Sequence, residues 1–297
     1  KWGKFQGQLG LRAEYSDVKT NLVKTATINQ RRYLDFFPSA NLSYEFKHQN
    51  NLQLSYSRRI SRPRFWSLLP FFGYSDARNL FGGNPNLNPE YTHSIELGHL
   101  KYFEKGSILS SVYYRHTTGK NERLVFSDST TGITQMYPVN IGLENSLGLE
   151  LALSYKPWAW WDVTGSANFF RAIMQGEYLG VNYDNDTYAW TCNLKSKWTI
   201  AKIVHVQVSF NYNSPRLDPQ GKLFARYNID AALSVDLFNG KGSLTLNARD
   251  IFNTRKRRYL IYGADFSTEG SFQWRARQVT LNFSYRLNQT TPKRGRK

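Results

Sequence analysis

The stretch SLGLELALSYK, residues Ser146–Lys156, alternates between large apolar side chains and polar or small ones along its whole length. The apolar side chains occupy the odd positions, which are Leu147, Leu149, Leu151, Leu153 and Tyr155. A period of two places them on one face of a β-strand and the polar or small residues on the other. This stretch therefore predicts a strand that meets an apolar environment on one side only.

The same alternation recurs through most of the chain, and no helical period competes with it. The further segments that show it are Phe5–Tyr15, Ala40–Lys47, Leu52–Ser57, Tyr91–Tyr102, Trp161–Phe169, Trp190–Trp198, Val204–Asn213, Tyr227–Leu237, Leu244–Ala248 and Val279–Arg286. Around Ile108–Tyr114 apolar residues fall on both faces, so the pattern leaves the faces of that strand open. In all we predict about twelve strands of roughly 10 residues or more, as in outer-membrane barrels.

The connections between these strands alternate between short turns and long loops. The short turns are predicted at His48–Asn50, Glu104–Gly106, Pro157–Trp160, Ala201–Lys202 and Asn239–Gly242. The long connections are predicted between Tyr15 and Ala40 and at Arg62–Leu80, Arg171–Asp186, Ser214–Lys222 and Asn253–Phe272. Up-and-down outer-membrane barrels place short turns in the periplasm and long loops outside the cell.

The fold class predicted from this pattern is all-β, an antiparallel up-and-down transmembrane β-barrel with about twelve strands in this chain. A soluble β-sandwich is the alternative, but its strands are shorter and it gives no reason for loops that are long on one side only. The 297 residues contain no run of 18 apolar residues, so no helical membrane span is expected. The mean hydropathy of -0.55 suits a barrel, in which half of each strand faces a polar lumen.

Aromatic residues make up 15% of the chain, with 19 Tyr, 19 Phe and 8 Trp. Aromatic girdles at the two membrane interfaces account for this enrichment. The single cysteine, Cys192, excludes an internal disulfide and any cysteine-based zinc site. The five histidines are scattered without metal-ligand spacing, and His116 lies near Ser127 and Asp128 only in sequence. We therefore predict no catalytic residues, no metal site, no cofactor and no enzymatic activity.

The formal net charge of +17 favours a polyanionic partner, either nucleic acid or a phosphate-bearing membrane surface. No helix or stacking platform concentrates this charge, so nucleic-acid binding is not expected. Several basic residues fall in the predicted long loops. Those considered as contacts for lipopolysaccharide or for an anionic ligand are Arg62, Arg64, Arg255, Lys256, Arg257 and Arg258. The alternative is a solvated rim in which these charges are paired with nearby carboxylates.

Five motifs carry a resemblance to a known family. They are SRRISRPRF at Ser57–Phe65, GGNPNLNPE at Gly82–Glu90, SLGLELALSYKP at Ser146–Pro157, RDIFNTR at Arg249–Arg255 and RQVTLNFSYRLN at Arg277–Asn288. Together they resemble the C-terminal barrel portion of TonB-dependent receptors, specifically the outer membrane protein beta-barrel family of the type common in Bacteroidetes. The residues of these motifs expected to have structural roles are Gly83, Asn84, Pro85, Asn88, Pro89, Asp250, Phe252 and Asn253.

The resemblance implies a cell outer membrane location in a Gram-negative bacterium and energy-coupled uptake of a scarce solute, such as a siderophore, cobalamin, a glycan or a peptide. The implied partners are outer-membrane lipid and lipopolysaccharide, a plug domain, TonB and the small solute. The sequence departs from a complete receptor because it has no plug and about twelve strands rather than roughly 22. A passive porin-like or adhesin-like barrel is the alternative function.

The chain begins at Lys1 within a strand-like pattern, so we expect it to be a piece of a longer protein. We expect residues 1–288 to form the C-terminal part of an outer-membrane barrel. Residues 289–297 would then be a basic tail on the periplasmic side.

The alternation makes a prediction about the two faces of the Ser146–Lys156 strand. If Leu151 contacts lipid, Leu151→Arg should lower the free energy of unfolding by roughly 2–4 kcal/mol near the bilayer midplane. Glu150→Gln, on the lumen side, should change it little. Denaturant titration of the protein folded in lipid bilayers measures both, and equal costs would contradict the assignment of faces.

Overall fold

The fold is described by a computed structural model that covers residues 3–23, 26–69, 71–74, 78–128, 130–263 and 265–287. The tail predicted at 289–297, and Asn288 before it, lie outside the described residues. The strands are β1 (Phe5–Leu22), β2 (Thr27–Phe46), β3 (Asn50–Ser61), β4 (Phe72–Tyr74), β5 (Asn79–Gly82), β6 (Glu90–Phe103), β7 (Gly106–Asp128), β8 (Ile133–Trp158), β9 (Trp161–Tyr178), β10 (Val181–Asn182), β11 (Asn185–Ile200), β12 (Val204–Asn213), β13 (Arg216–Asp218), β14 (Gly221–Leu223), β15 (Arg226–Leu237), β16 (Gly242–Arg249), β17 (Arg257–Tyr262), β18 (Ser267–Phe272) and β19 (Gln278–Tyr285). The helix α1 covers Phe65–Leu68, and a 3₁₀ turn covers Phe238–Gly240.

Twelve long strands form one antiparallel sheet in the order β1-β2-β3-β6-β7-β8-β9-β11-β12-β15-β16-β19. Each long strand pairs with the next long strand along the chain, so the predicted all-β, up-and-down architecture is confirmed. Within the described residues, no helix has the length and apolar character needed to cross a membrane.

The predicted short turns all lie at one end of the sheet, which we call the short-turn end. They occupy residues 47–49, 104–105, 159–160, 201–203 and 238–241. Two consecutive residues with positive φ occur in three of them: His48 and Gln49, Ala201 and Lys202, and Phe238 and Asn239. Paired positive φ angles are typical of type I′ hairpin turns, whose twist matches that of the strands they join. The opposite end is the long-loop end.

The face pattern predicted for β8 is also present. Leu147, Leu149 and Leu153 expose 56%, 40% and 37% of their surface on the outside of the sheet. The register also determines the faces of the neighbouring strand β7, which the sequence left open. Val112 pairs with Leu149, whereas Tyr113 pairs with Gly148. From Gly106 to Thr118, before the register shift, even positions of β7 therefore face outward and odd ones inward, and the inward Tyr113 is only 3% exposed.

Stacked aromatic side chains border this outward apolar face at its two ends, one near the short turns and one toward the long loops. At the short-turn end the rings of Trp158 and Trp161 stack at 5.4 Å. Toward the long-loop end Trp190 stacks between Phe169 at 5.9 Å and Tyr212 at 4.3 Å. Trp161 and Phe169 are eight residues apart on β9, which is roughly 26 Å along the strand. After a tilt of about 40° this separation approaches the height of an apolar membrane band.

Several strands continue well beyond such a band. A barrel strand crosses the bilayer in about 10 residues, whereas β7 has 23 residues and β8 has 26. The excess lies at the long-loop end. There neither face of the sheet meets lipid, so strict apolar alternation is no longer required and the sequence pattern fades.

Two predicted long connections are therefore wrong. The residues between Tyr15 and Ala40 continue β1 and β2, which remain paired as far as Leu22 and Thr27. The segment Arg171–Asp186 is not a loop, because β9 runs to Tyr178 and β11 begins at Asn185. Polar side chains stabilise these wet extensions, as in the Arg171–Asp186 ion pair at 2.6 Å.

The other long connections contain structure that the sequence pattern did not predict. Arg62–Leu80 includes α1, β4 and part of β5. Ser214–Lys222 and Asn253–Phe272 supply strands of a second, four-stranded sheet in the order β13-β14-β17-β18. We call it the loop sheet. Because its two hairpins come from different connections, it fixes two parts of the long-loop end to each other.

The twelve-stranded order ends at β1 on one side and β19 on the other, and no ladder joins these two strands within the described ranges. Unpaired backbone N–H and C=O groups are very costly in hydrocarbon. We therefore expect Lys1–Lys297 alone to aggregate when it is refolded into detergent. Co-folding with partner strands that cover the β1 and β19 edges should give a monomer whose gel mobility changes on heating. A heat-modifiable monomer formed by the fragment alone would show instead that β1 and β19 close on each other.

Candidate ligand-facing surface at the long-loop end

The β7–β8 hairpin forms the platform of the long-loop end. Its register shifts after Thr118, where Gly119 has φ +66°. On the facing strand Gly142 has φ +143°, and a Cβ there would collide with the carbonyl of Gln175. Beyond this bend lies a buried apolar cluster, whose members are Leu124, Val139, Ile141, Met174 and Tyr183. The projecting hairpin is thus packed rather than free.

The GGNP part of the signature motif packs against α1. The Gly83 N–H donates to the Leu69 carbonyl at 3.2 Å, and the Asn84 N–H donates to the Ser67 carbonyl at 2.7 Å. A Cβ on Gly83 would lie 2.6 Å from the Leu69 oxygen, so only glycine allows this approach. The Asn84 side chain accepts from the Asn86 N–H at 2.8 Å and donates to the Pro138 carbonyl at 3.1 Å. Gly83 and Asn84 thereby connect α1 to β8.

The following Asn88 is held from both sides. The Asn140 side chain accepts from the Asn88 N–H at 2.8 Å and donates to its carbonyl at 3.1 Å. From β2, Arg31 donates to the Asn88 side chain at 2.6 Å and to the Leu87 carbonyl at 3.0 Å. Pro85 and Pro89 flank this contact, and both also line a small apolar cavity beneath α1.

The RDIFNTR motif forms a tight turn between β16 and the loop sheet. The Asp250 carboxylate is buried and accepts hydrogen bonds from the N–H groups of Thr254 at 2.9 Å and Arg255 at 3.1 Å. The Asn253 side-chain oxygen accepts from Gln273 at 2.8 Å and from the Arg277 N–H at 3.2 Å. Phe252 is 63% exposed. This turn determines where the basic residues after it are placed.

The structure separates the predicted basic residues into two groups. Arg62 belongs to the β1 side, where it donates to Glu14 at 2.6 Å and to Ser16 at 3.0 Å. Arg64 precedes α1 and is exposed. The second group follows the Asp250 turn. In it Arg255, Arg257 and Arg258 are exposed, whereas Lys256 is half-buried.

Arg257 and Arg258 line a cavity of about 290 Å³ that also contains Arg216 and Arg226. We call it the arginine cavity. Arg216 and Arg226 were not predicted from the sequence, because single arginines in polar segments give no signal until the loop sheet brings them together. The Arg258 guanidinium lies 5.0 Å from the ring of Phe224, which also lines the cavity.

A glutamine side chain attaches the loop sheet to β7 by hydrogen-bonding to the backbone of that strand. The Gln220 side chain accepts from the Val125 N–H at 2.6 Å and donates to the Val125 carbonyl at 2.9 Å. A second cavity, of about 460 Å³, lies between the loop sheet and β7. Glu122 and Asp218 both line it, one from each side.

These two carboxyl groups lie outside the membrane-spanning segments, since Glu122 follows the bend of β7 and Asp218 belongs to the loop sheet. Burial raises the pKa of Glu122 to about 7, against the opposing effect of Lys120. Burial also raises the pKa of Asp218 above its ordinary value. Lys120 itself lies 3.3 Å from Glu144 and 3.9 Å from Glu122. The contact between loop sheet and hairpin therefore contains a proton-sensitive group.

Three of the five histidines form separate hydrogen-bonded pairs: His93 with Tyr56 at 2.9 Å, His99 with Asn50 at 3.2 Å, and His116 with Asn145 at 2.8 Å. No group of three or more potential metal ligands comes together in the part of the chain that the structure describes.

A family model, the outer membrane protein beta-barrel family, matches residues 1–285. The chain belongs to this family. Its location is therefore the outer membrane of a Gram-negative bacterium, and the outward apolar face between the aromatic girdles is the lipid-contacting surface. No curated protein matches this member of the family closely in sequence.

Solved structures with the same fold include the copper transporter OprC, with a TM-score of 0.66 and 13% identity over 96% of this chain and 45% of that one. The ferric yersiniabactin uptake receptor FyuA of Yersinia pestis has a TM-score of 0.62 and 15% identity over 95% and 43%. The iron transporter FrpB of Neisseria meningitidis has a TM-score of 0.58 and 14% identity over 96% and 43%. This chain thus spans less than half the length of these proteins. The resemblance to TonB-dependent receptors that the motifs indicated is confirmed in its fold.

The raised pKa of Glu122 predicts a pH dependence of loop-sheet docking. A carboxyl whose pKa is about 7 when docked and near 4.5 when free takes up a proton on docking. The stabilisation that Glu122 gives to the docked state is therefore complete below about pH 4.5. It is lost as the pH rises through about 7. Hydrogen exchange of the Val125 N–H should accelerate, beyond its intrinsic pH dependence, between pH 5 and pH 8. Glu122→Gln should remove this additional acceleration, and an unchanged profile in that variant would contradict the assignment.

Proposed function

We propose that the chain is the C-terminal barrel part of a TonB-dependent receptor that takes up a scarce solute across the outer membrane. The observation that carries this proposal is the match of 94–96% of the chain to less than half of several metal and siderophore uptake proteins. The two unpaired sheet edges support it independently, because a barrel wall needs further strands to close. Residues 1–288 would then form the wall and 289–297 the periplasmic tail.

The inward face of the wall is polar and accessible, as a lumen that holds a plug domain requires. Arg12 and Glu14, on the inward face of β1, form an ion pair at 2.8 Å, yet the Arg12 side chain remains 63% exposed. On β7 Arg115 lies over the inward ring of Tyr113 at 4.0 Å. Charged, accessible side chains on a lumen wall suit a polar plug better than a packed apolar core.

In this mechanism the long-loop end captures the solute, and TonB then pulls on the plug to open the lumen. The residues described here bind and position, and none is proposed to carry out bond chemistry. Arg255, Lys256, Arg257 and Arg258 are proposed as contacts for an anionic solute or for lipopolysaccharide phosphates. Arg62, which pairs with Glu14, and Arg64, which precedes α1, are proposed as further contacts of this kind.

The solute class is a proposal at the level of a metal chelate, cobalamin, a glycan or a peptide. The names of the similar solved proteins refer to copper or to ferric siderophores. At 13–15% sequence identity, the similarity of these proteins to this chain concerns the fold only. A passive porin-like or adhesin-like barrel is the second candidate. It would use the same wall without a plug and without energy coupling.

The requirement for TonB separates these two functions. Cells expressing the full-length protein should accumulate its solute only when TonB is functional. Deletion of TonB should reduce uptake to the level of cells that lack the protein. A passive porin would continue to admit the solute by diffusion, and an adhesin would show no uptake in either strain.

The long-loop end should face the outside of the cell. In a Cys192→Ser background, cysteines placed at Val181 and Ser267 should react with a membrane-impermeant maleimide on intact cells. A cysteine at Lys241, in a turn of the short-turn end, should react only after permeabilisation. The reverse labelling pattern would invert the topology and contradict the proposed capture surface.

A further inference from the structure

The arginine cavity concentrates positive charge that nearby carboxylates neutralise only in part. Its four arginines come from the loop sheet and from the start of β15, and no carboxylate is among the described residues that line it. Arg216 pairs with Asp218 at 3.4 Å, and Arg258 pairs with Glu269 at 3.4 Å. Arg226 and Arg257 have no carboxylate within 4 Å in the described part of the chain.

This arrangement is unfavourable unless something compensates for it. Guanidinium groups gathered at one cavity repel one another, and the solvent exposure of all four reduces this repulsion without removing it. The loop sheet nevertheless brings them together from two connections about 40 residues apart in sequence. An anion in the cavity would supply the missing charge, and a guanidinium binds carboxylate or phosphate with two parallel hydrogen bonds.

The rest of the cavity wall indicates what the anion is attached to. Phe170 and Ala189 are paired across β9 and β11, on the face opposite the lipid-facing Phe169. Phe224 contributes a second ring, with the Arg258 guanidinium above it. Flat aromatic surfaces beside guanidinium groups favour a planar, unsaturated body by stacking and cation–π contact.

The position of the cavity favours a solute over a lipid. Leu217 donates its N–H to the inward-facing Thr187 at 3.0 Å, so the loop sheet lies over the inner side of β11. Asn228, which follows Arg226 on the same face of β15, is buried and faces away from the exposed Tyr227. The cavity floor is thus part of the inward face, where a solute on its way to the lumen would pass.

We propose that the arginine cavity binds a carboxylate or phosphate group carried on a planar ring system. This inference rests on the proposed function in taking the bound anion to be the transported solute. The same anionic chemistry is present on the phosphates of lipid A, so the test has separate arms for solute and lipid.

The test uses the full-length protein purified in detergent without lipopolysaccharide. Calorimetric titration with 2-naphthoate should show binding, whereas the neutral 2-naphthamide should bind at least about tenfold more weakly. Arg226→Gln combined with Arg257→Gln should weaken naphthoate binding about tenfold or more and leave the naphthamide affinity unchanged. Phe224→Leu should weaken the binding of both ring compounds but not that of inorganic phosphate.

Arg275→Gln is the matched control, since Arg275 is also exposed at the long-loop end but does not line the cavity. It should bind naphthoate as the unmodified protein does. Retained heat-modifiable mobility on gels shows that each variant is folded. Equal naphthoate affinity in the folded double variant and the unmodified protein would overturn the proposal.

The second arm replaces naphthoate with vesicles that contain lipid A or its dephosphorylated form. Arginine-dependent binding of lipid A without any naphthoate binding would assign the cavity to the membrane and overturn a solute site. Failure of the proposed function gives a different result. Naphthoate binding that depends on Arg226 and Arg257, in a protein whose uptake does not need TonB, would retain the site and remove only the energy coupling.

Discussion

The backbone hydrogen-bond ladder of the twelve-stranded sheet is the constraint on which the rest of the structure depends. In hydrocarbon no water replaces a missing partner, so every strand in the wall must be paired on both sides. Tight turns at the short-turn end, three of them with consecutive positive φ angles, keep the pairing in register. Outside the bilayer the constraint relaxes, and the chain is free to build bends, extra strands and cavities at the long-loop end.

This difference explains how far the sequence could predict the fold. Within the membrane, alternation must be strict because one face meets lipid and the other a polar lumen, and the faces of β8 followed directly from its leucines. Tyr113 obscured β7 because a large aromatic residue lies inward there, above Gly148. Above the membrane no face meets lipid and the outer face can be polar, so the upper halves of β1, β2, β9 and β11 carried no strict periodic signal.

The candidate site was predictable only in part for a related reason. Arg257 and Arg258 belong to a basic run, which is visible in sequence. Arg216 and Arg226 join them through strand pairing between distant hairpins, and no local pattern encodes that pairing. The signature asparagines were recognisable as turn residues, but their bonds to Arg31 and Asn140 depend on long-range folding that sequence spacing does not reveal.

The loop sheet also has a consequence for how such barrels diversify. Its strands come from two separate connections, between β12 and β15 and between β16 and β19. An insertion or deletion in one hairpin would shift the register of the other through the pairing of Leu223 with Tyr259. The two connections are thus expected to vary as a unit among natural variants, and a graft that changes recognition must exchange both together.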